Sequence, residues 1–219
     1  MKEFDDLLEV AAILNGPNGC PWDLKQTFKS LQTYVLEESH ELLEAIDLDE
    51  NEKIIEELGD LLYTIVFYAK LAQKQNRFQM RNILETVKEK LIRRHPHIFA
   101  EEKLETSEEV ATRWEKIKKE EKAHSQRESL LDGIPTSLPA LIRAQKVIKK
   151  ILRSPSDLFT EKQKCSLDVE EAFGEEILQA ILRAEEANVD AESALRRVLS
   201  RYEMRFREWE KKQNLRESL

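Results

Sequence analysis

Apolar residues recur every three or four positions along most of this chain and rarely alternate one by one. Side chains three and four apart share a helix face, whereas a half-buried strand repeats every two, so the pattern predicts helices and no sheet. A first helix fits Phe4 to Leu14 and is broken by the Gly and Pro signals of "NGPNGCPWD". A second runs from about Thr27 or Ser30 to Ile46, with Leu31, Tyr34, Val35, Glu38, Leu42 and Ala45 on one face. Beyond the polar "DLDEN", a third runs from about Glu52 to Lys74. It is apolar on nearly all sides from Leu58 to Ala72, which predicts a central, buried helix. A fourth covers Met80 to Arg94 and stops at His95-Pro96, because the residue before proline is pushed out of the helical region. A fifth, Ser107 to about Ser125, starts amphipathic and becomes the charge run "KIKKEEKAHSQRES", a solvated helix end or linker. "LDGIPTSLPALIRAQKVIKKIL" opens a second unit, and the tail from Glu170 to Glu210 is helical again. A boundary near 126–136 divides the chain into 1–125 and 126–219.

Composition agrees with an all-α chain: of 219 residues 41% are hydrophobic and 36% charged, with only five glycines and six prolines. The formal net charge of −8 argues against a general nucleic-acid binder, which needs a basic face, but leaves room for a local basic pocket. The N-terminal "MKEFDDLLEV" has no signal-peptide pattern. The longest apolar run, around Leu61 to Ala69, is too short to span a bilayer, so no membrane partner is expected. Cys20 and Cys165 lie far apart without metal-ligand spacing, which predicts free thiols in a reducing, cytoplasmic setting.

The candidate chemistry lies in "EESHELLEAIDLDENEKIIEELGD". Glu38 with Glu41, and Glu57 with Asp60, are acidic pairs spaced three apart and set beside apolar stripes. Two antiparallel helices joined by a short loop bring the pairs opposite each other. Four carboxylates in a partly desolvated cleft repel, and either take up protons or hold a cation. An all-oxygen ligand set suits Mg2+ or Mn2+, and Mg2+ commonly bridges substrate phosphates. An ordinary pair of solvated, acid-rich helices fits the same spacing. Glu37-x-x-His40 and Glu121-x-x-His124 have the spacing of di-iron bundles, but His124 lies in a charge run away from any apolar stripe.

Basic and aromatic residues follow. Lys90 and Arg94 share a face of the fourth helix and serve either as dipole-neutralising charges at its C-terminus or as a triphosphate clamp. Trp114 and Lys118 are again four apart; Trp114 fits a core anchor or a stacking platform, and Trp22 is ambiguous in the same way. His95 and His97, flanking Pro96, read as a helix stop rather than as ligands.

Taken with the phrases "NGCPWDLKQTF", "VLEESHELLEAI", "EELGDLLYTIVFYAKLA", "RRHPHIF" and "IPTSLPALIRAQKV", the Glu37-Glu38-x-x-Glu41 and Glu57-x-x-Asp60 motifs resemble the MazG family of nucleoside triphosphate pyrophosphohydrolases over nearly the first 150 residues. The resemblance implies an all-α helical bundle, usually dimeric, that converts an NTP or dNTP and water to the monophosphate and pyrophosphate in nucleotide-pool housecleaning. It implies Mg2+ held by Glu38, Glu41, Glu57 and Asp60, with Glu37 in support and Glu38 or Glu41 accepting a proton from water. It matches Lys90, Arg94, Trp114 and Lys118 to nucleotide-binding positions. A catalytically weak nucleotide-binding regulator and a plain dimerisation scaffold are the competing functions.

A weak internal repeat aligns Gly59-Asp60, Ala69, Lys90 and Arg94 with Gly174-Glu175, Ala184, Arg201 and Arg205, allowing one four-residue gap. Ala172 stands where Glu57 would be and Glu175 where Asp60 would be, and only 13 residues separate Asp157 from Glu170, so no acidic helix precedes the second copy. The second unit is therefore expected to be a degenerate copy without a complete metal site, serving packing or dimer formation.

Overall fold

The turn at Asp49 and Glu50 sets the geometry of the first unit. Helix α2 (Gln32–Leu48) ends on Asp49, whose backbone is left-handed at φ 57° and ψ 37°. Aspartate tolerates that region better than most residues. The N–H of Asp49 turns back to the carbonyl of Ile46 (3.1 Å) and that of Glu50 to Ala45 (3.2 Å), which closes the helix. With two residues in the connection, helix α3 (Asn51–Lys74) runs back antiparallel along α2. Residues equally far from the turn then sit side by side. Leu31 and Phe67 are such a pair, and with Leu71 they form the buried core, on which Phe28, Tyr34, Tyr63 and Tyr68 pack.

The computed structural model describes residues 1–100, 102–121, 129, 131–154, 159 and 168–217; Cys165, Asp157 and His124 lie outside them. Contacts divide the chain into two units, Met1–Lys118 and Lys119–Leu219. Among the described residues there are nine α-helices, one 3₁₀ turn at Asp23–Lys25 and no strand. None of these helices is long and apolar enough to cross a membrane.

In the first unit, α1 (Lys2–Leu14) packs on α3 and buries Ala11. Helix α4 (Met80–Arg94) begins with a reciprocal cap between Gln79 and Asn82. The short α5 (Pro96–Phe99) and then α6 (Ser107–Glu120) follow. In the second unit, α7 (Ala140–Leu152) packs against α8 (Val169–Glu186) around Ile148, Ile181 and Leu182. Gln145 of α7 donates to Glu185 (3.1 Å) and to the carbonyl of Val189 (2.7 Å), and accepts from the N–H of Ala191 (3.0 Å), which ties in the start of α9 (Ala191–Glu217).

One expectation is corrected. The third helix is not buried on all sides. Thr64, Val66, Phe67, Ala69, Leu71 and Ala72 are buried, whereas Ile55 (71%), Leu58 (50%), Leu62 (39%) and Ile65 (43%) are exposed. These four recur at steps of three and four, so the nearly continuous apolar circumference is two faces, one against α2 and α1 and one open. The tail is helical as expected and forms two helices, α8 and α9. Asn188 takes the left-handed φ of 56°, and Asp190 restarts the helix by accepting from the N–H of Ser193 at 2.7 Å.

Candidate metal centre and nucleotide site

The same turn that pairs Leu31 with Phe67 pairs the acids. Glu41 and Glu57 both lie about 12 Å along their helices from the turn, and Glu38 and Asp60 lie one helical turn further out. One carboxylate oxygen each of Glu38, Glu41 and Glu57 falls within 4.8 Å of the others. Asp60 is outside this trio, yet it is the strongest charged neighbour of Glu38. Among the described residues no histidine or cysteine joins the group, so its donors are hard oxygens.

The crowding has an electrostatic cost. The Glu38 carboxyl is raised above the ordinary glutamate value by partial burial first, then by the charges of Asp60, Glu41, Glu57 and Glu37. The Glu57 carboxyl is raised by desolvation first, then by Glu41, Glu56 and Asp60. A folded-state value above the unfolded one means that the folded chain binds more protons between the two. Stability therefore falls as pH rises through that window, and the ionised repulsion is fully present above it. In EDTA, the thermal midpoint of the wild type relative to Glu57→Gln is expected to rise as pH is lowered toward the ordinary glutamate value. Millimolar Mg2+ is expected to raise the wild-type midpoint most at neutral pH and that of Glu57→Gln less. Thermal unfolding across pH, with and without Mg2+, checks both.

The turn "GCPWD" is seated one helical turn below the acids. Trp22 meets the ring of Tyr34 edge-on at 5.6 Å, and Tyr34 lies one turn before Glu38. Asp23 is buried and accepts from the Tyr63 hydroxyl at 3.5 Å, the long end of hydrogen bonding. Burial first, then the Asp23 charge, pushes the Tyr63 phenol up. Spacing alone did not single out Asp23; the signal was its place directly after a proline-tryptophan turn.

The basic and aromatic candidates form a second cluster. The Arg94 guanidinium stacks over the Trp114 ring at 5.3 Å, and His95 meets the same ring in a T-shape at 4.9 Å. Both alternatives for Trp114 are thus half met: it is half-buried, and a cation lies on its face. Lys90 is exposed one turn before Arg94. Lys118 pairs with Glu115 at 3.3 Å across a partly exposed surface. His97 packs 5.6 Å from His95 with its Nδ1 buried and without a protein partner. Glu37 and His40 are exposed.

Residues 26–99 match the family model of the MazG nucleotide pyrophosphohydrolase domain. The chain is 39% identical over 232 aligned residues to a nucleoside triphosphate pyrophosphohydrolase of Escherichia coli strain K12, covering 96% of this chain and 88% of that one. It is 33% identical to the nucleoside triphosphate pyrophosphohydrolase/pyrophosphatase MazG of Thermotoga maritima, with the same coverage of 96% and 88%. A nucleoside triphosphate pyrophosphohydrolase of Mycobacterium tuberculosis is 35% identical over 74% of this chain and 52% of its own length.

Proposed function

The chain belongs to the MazG nucleotide pyrophosphohydrolase family, and from that premise we propose that it hydrolyses NTPs and dNTPs to the monophosphate and pyrophosphate, using a Mg2+ site in its first unit. The observation that carries this reading is the Glu38, Glu41 and Glu57 trio within 4.8 Å. Three mutually repelling carboxylates with no cationic side chain among them, two of them with raised proton affinity, are a donor set that fits a hard divalent cation. Glu38, Glu41, Glu57 and Asp60 would hold Mg2+, for which Mn2+ could substitute, and Glu37 adds negative charge beside Glu38. When bound, the metal supplies charge neutralisation at the phosphates and a more acidic water.

Glu38 or Glu41 would accept the proton of the attacking water. The water oxygen forms the new bond to phosphorus, the α–β bridge breaks, and pyrophosphate leaves with the bridging oxygen or receives the water oxygen, according to which phosphorus is attacked. Lys90, Arg94 and Lys118 hold the phosphates and Trp114 the nucleotide, with the arginine gripping two oxygens and the lysines acting as point charges. The enzyme works as a homodimer on free nucleotides in the cytoplasm, in nucleotide-pool housecleaning. The second unit, from about residue 126, is a degenerate copy that serves assembly.

A panel of NTPs and dNTPs assayed for pyrophosphate in Mg2+ and in EDTA tests the reading. Equal amounts of monophosphate and pyrophosphate are expected, with turnover lost in EDTA. Nucleotide binding without turnover favours the regulator instead, and neither binding nor turnover favours a scaffold.

A further inference from the structure

We propose that His95 is a positioning residue for nucleotide binding, holding Trp114 and through it the Arg94 guanidinium. This rests on the reading that Arg94 and Trp114 bind the substrate. The sequence reads His95 as a helix stop, and it is one: it precedes Pro96 and takes φ −122° and ψ 57°, between α4 and α5. The stop leaves a carbonyl to be satisfied. The backbone N–H of His95 bonds the carbonyl of Ile92 (3.3 Å) rather than that of Leu91, its usual partner in an α-helix. The imidazole Nδ1 lies 2.6 Å from the Leu91 oxygen instead.

That contact fixes the ring. A carbonyl only accepts, so Nδ1 carries the proton, and the imidazole is pinned to the last turn of α4 by its own side chain. The pinned ring meets Trp114 in a T-shape at 4.9 Å. Trp114 comes from α6, a separate helix, and Arg94 lies over it at 5.3 Å. Arg94 and His95 are neighbours at the end of one helix, and both grip one indole from another. An indole held by His95 presents a fixed ring to the guanidinium, and a long arginine side chain seated on it loses less freedom on meeting a phosphate.

The full chain, as wild type, His95→Ala, His95→Phe, Arg94→Ala and the double variant, tests this in steady-state pyrophosphate release with ATP. His95→Ala is expected to raise KM about tenfold with kcat within about twofold, the pattern of lost uniform binding. His95→Phe, which keeps a ring but not the bond to Leu91, is expected to fall between Ala and wild type. In the Arg94→Ala background, His95→Ala is expected to add less than about twofold. With Trp22 and Trp209 replaced by Phe, Trp114 emission is expected to shift red in His95→Ala. If Arg94→Ala raises KM and neither His95 variant does, or if the two losses multiply in full, the positioning role is overturned and the clamp stands. If Arg94→Ala leaves KM unchanged, the clamp reading falls, and this proposal with it. Should His95→Ala fail to fold, His95→Phe with an unchanged thermal midpoint carries the same comparison.

Discussion

Asp60→Ala and Glu38→Ala are each expected to lower kcat/KM by about three orders of magnitude, equivalent to about 4 kcal/mol of transition-state stabilisation. The size follows from the density of the site. Glu38 stands in the field of Asp60, Glu41, Glu57 and Glu37, so the group gains most of its value from a cation that offsets all of them together. On the proposed metal site, removing one donor would weaken the hold on Mg2+ and, with it, both phosphate neutralisation and the acidified water. The same substitutions are not expected to destabilise the metal-free protein, because Glu38 and Asp60 repel each other and either substitution removes that repulsion. Loss of activity with an unchanged or raised thermal midpoint in EDTA is therefore the signature of a metal ligand. Loss of both is the signature of misfolding. Glu175→Ala in the second copy is the control and is expected to change kcat/KM by less than about twofold. A loss from Glu175→Ala equal to that from Asp60→Ala overturns the idea that the second copy lacks chemistry.

The acid pairs were legible in the sequence because two periodicities meet there. The three-residue spacing places each pair on one helix face, and the short "DLDEN" connection makes the two helices antiparallel. Which acid faces which depends on the turn itself. Asp49 and Glu50 close it tightly enough that Glu57 lies against Glu41 and Asp60 acts on Glu38. The face of α2 carrying Leu31, Tyr34, Glu38 and Ala45 was also read from spacing, since a helix with one buried stripe has only one solution. Helix α3 was misread for the opposite reason. Apolar residues all round fit a central helix and equally fit a helix with one face in its own core and another left open, and periodicity cannot tell the two apart. His95 was hidden because its backbone role, stopping α4 before Pro96, is sufficient to account for its place. Its contact with Trp114 arises only when α6 returns to the end of α4, a long-range event with no local pattern.

Leu62→Glu is expected to weaken self-association by at least about a hundredfold in dissociation constant, about 2.7 kcal/mol, because a two-fold interface meets each substitution twice. Exposed Ile55, Leu58, Leu62 and Ile65 form a stripe on α3, and Leu84, Val87 and Leu91 form another on α4. A run of exposed apolar residues at helical spacing marks a surface that is normally covered. Gly59 lies within the α3 stripe, and a side chain added there would meet nothing within 4 Å. A mid-helix glycine costs up to about 1 kcal/mol against alanine, so its use in open space fits close approach by another backbone. The repeat sharpens the point. Phe173, Gly174 and Ile177 on α8 occupy the places of Leu58, Gly59 and Leu62, and Leu195 and Val198 on α9 those of Leu84 and Val87. Phe173, Ile177 and Leu195 are exposed, and Gly174 likewise has open space. In this alignment Ala172 stands in the place of Glu57, and Phe173, Gly174 and Ile177 keep the centre of the stripe, while Glu170 and Ala180 stand in the places of Ile55 and Ile65. A short apolar patch kept beside a missing carboxylate is what the assembly role proposed for the second unit requires. Ile177→Glu is accordingly expected to weaken association while leaving kcat per site within about threefold, whereas Leu62→Glu, on the helix that carries Glu57 and Asp60, is expected to lower both. Sedimentation or light scattering across concentration, paired with pyrophosphate release, separates the two. A wild type that stays monomeric at all concentrations sinks the assembly role for both stripes.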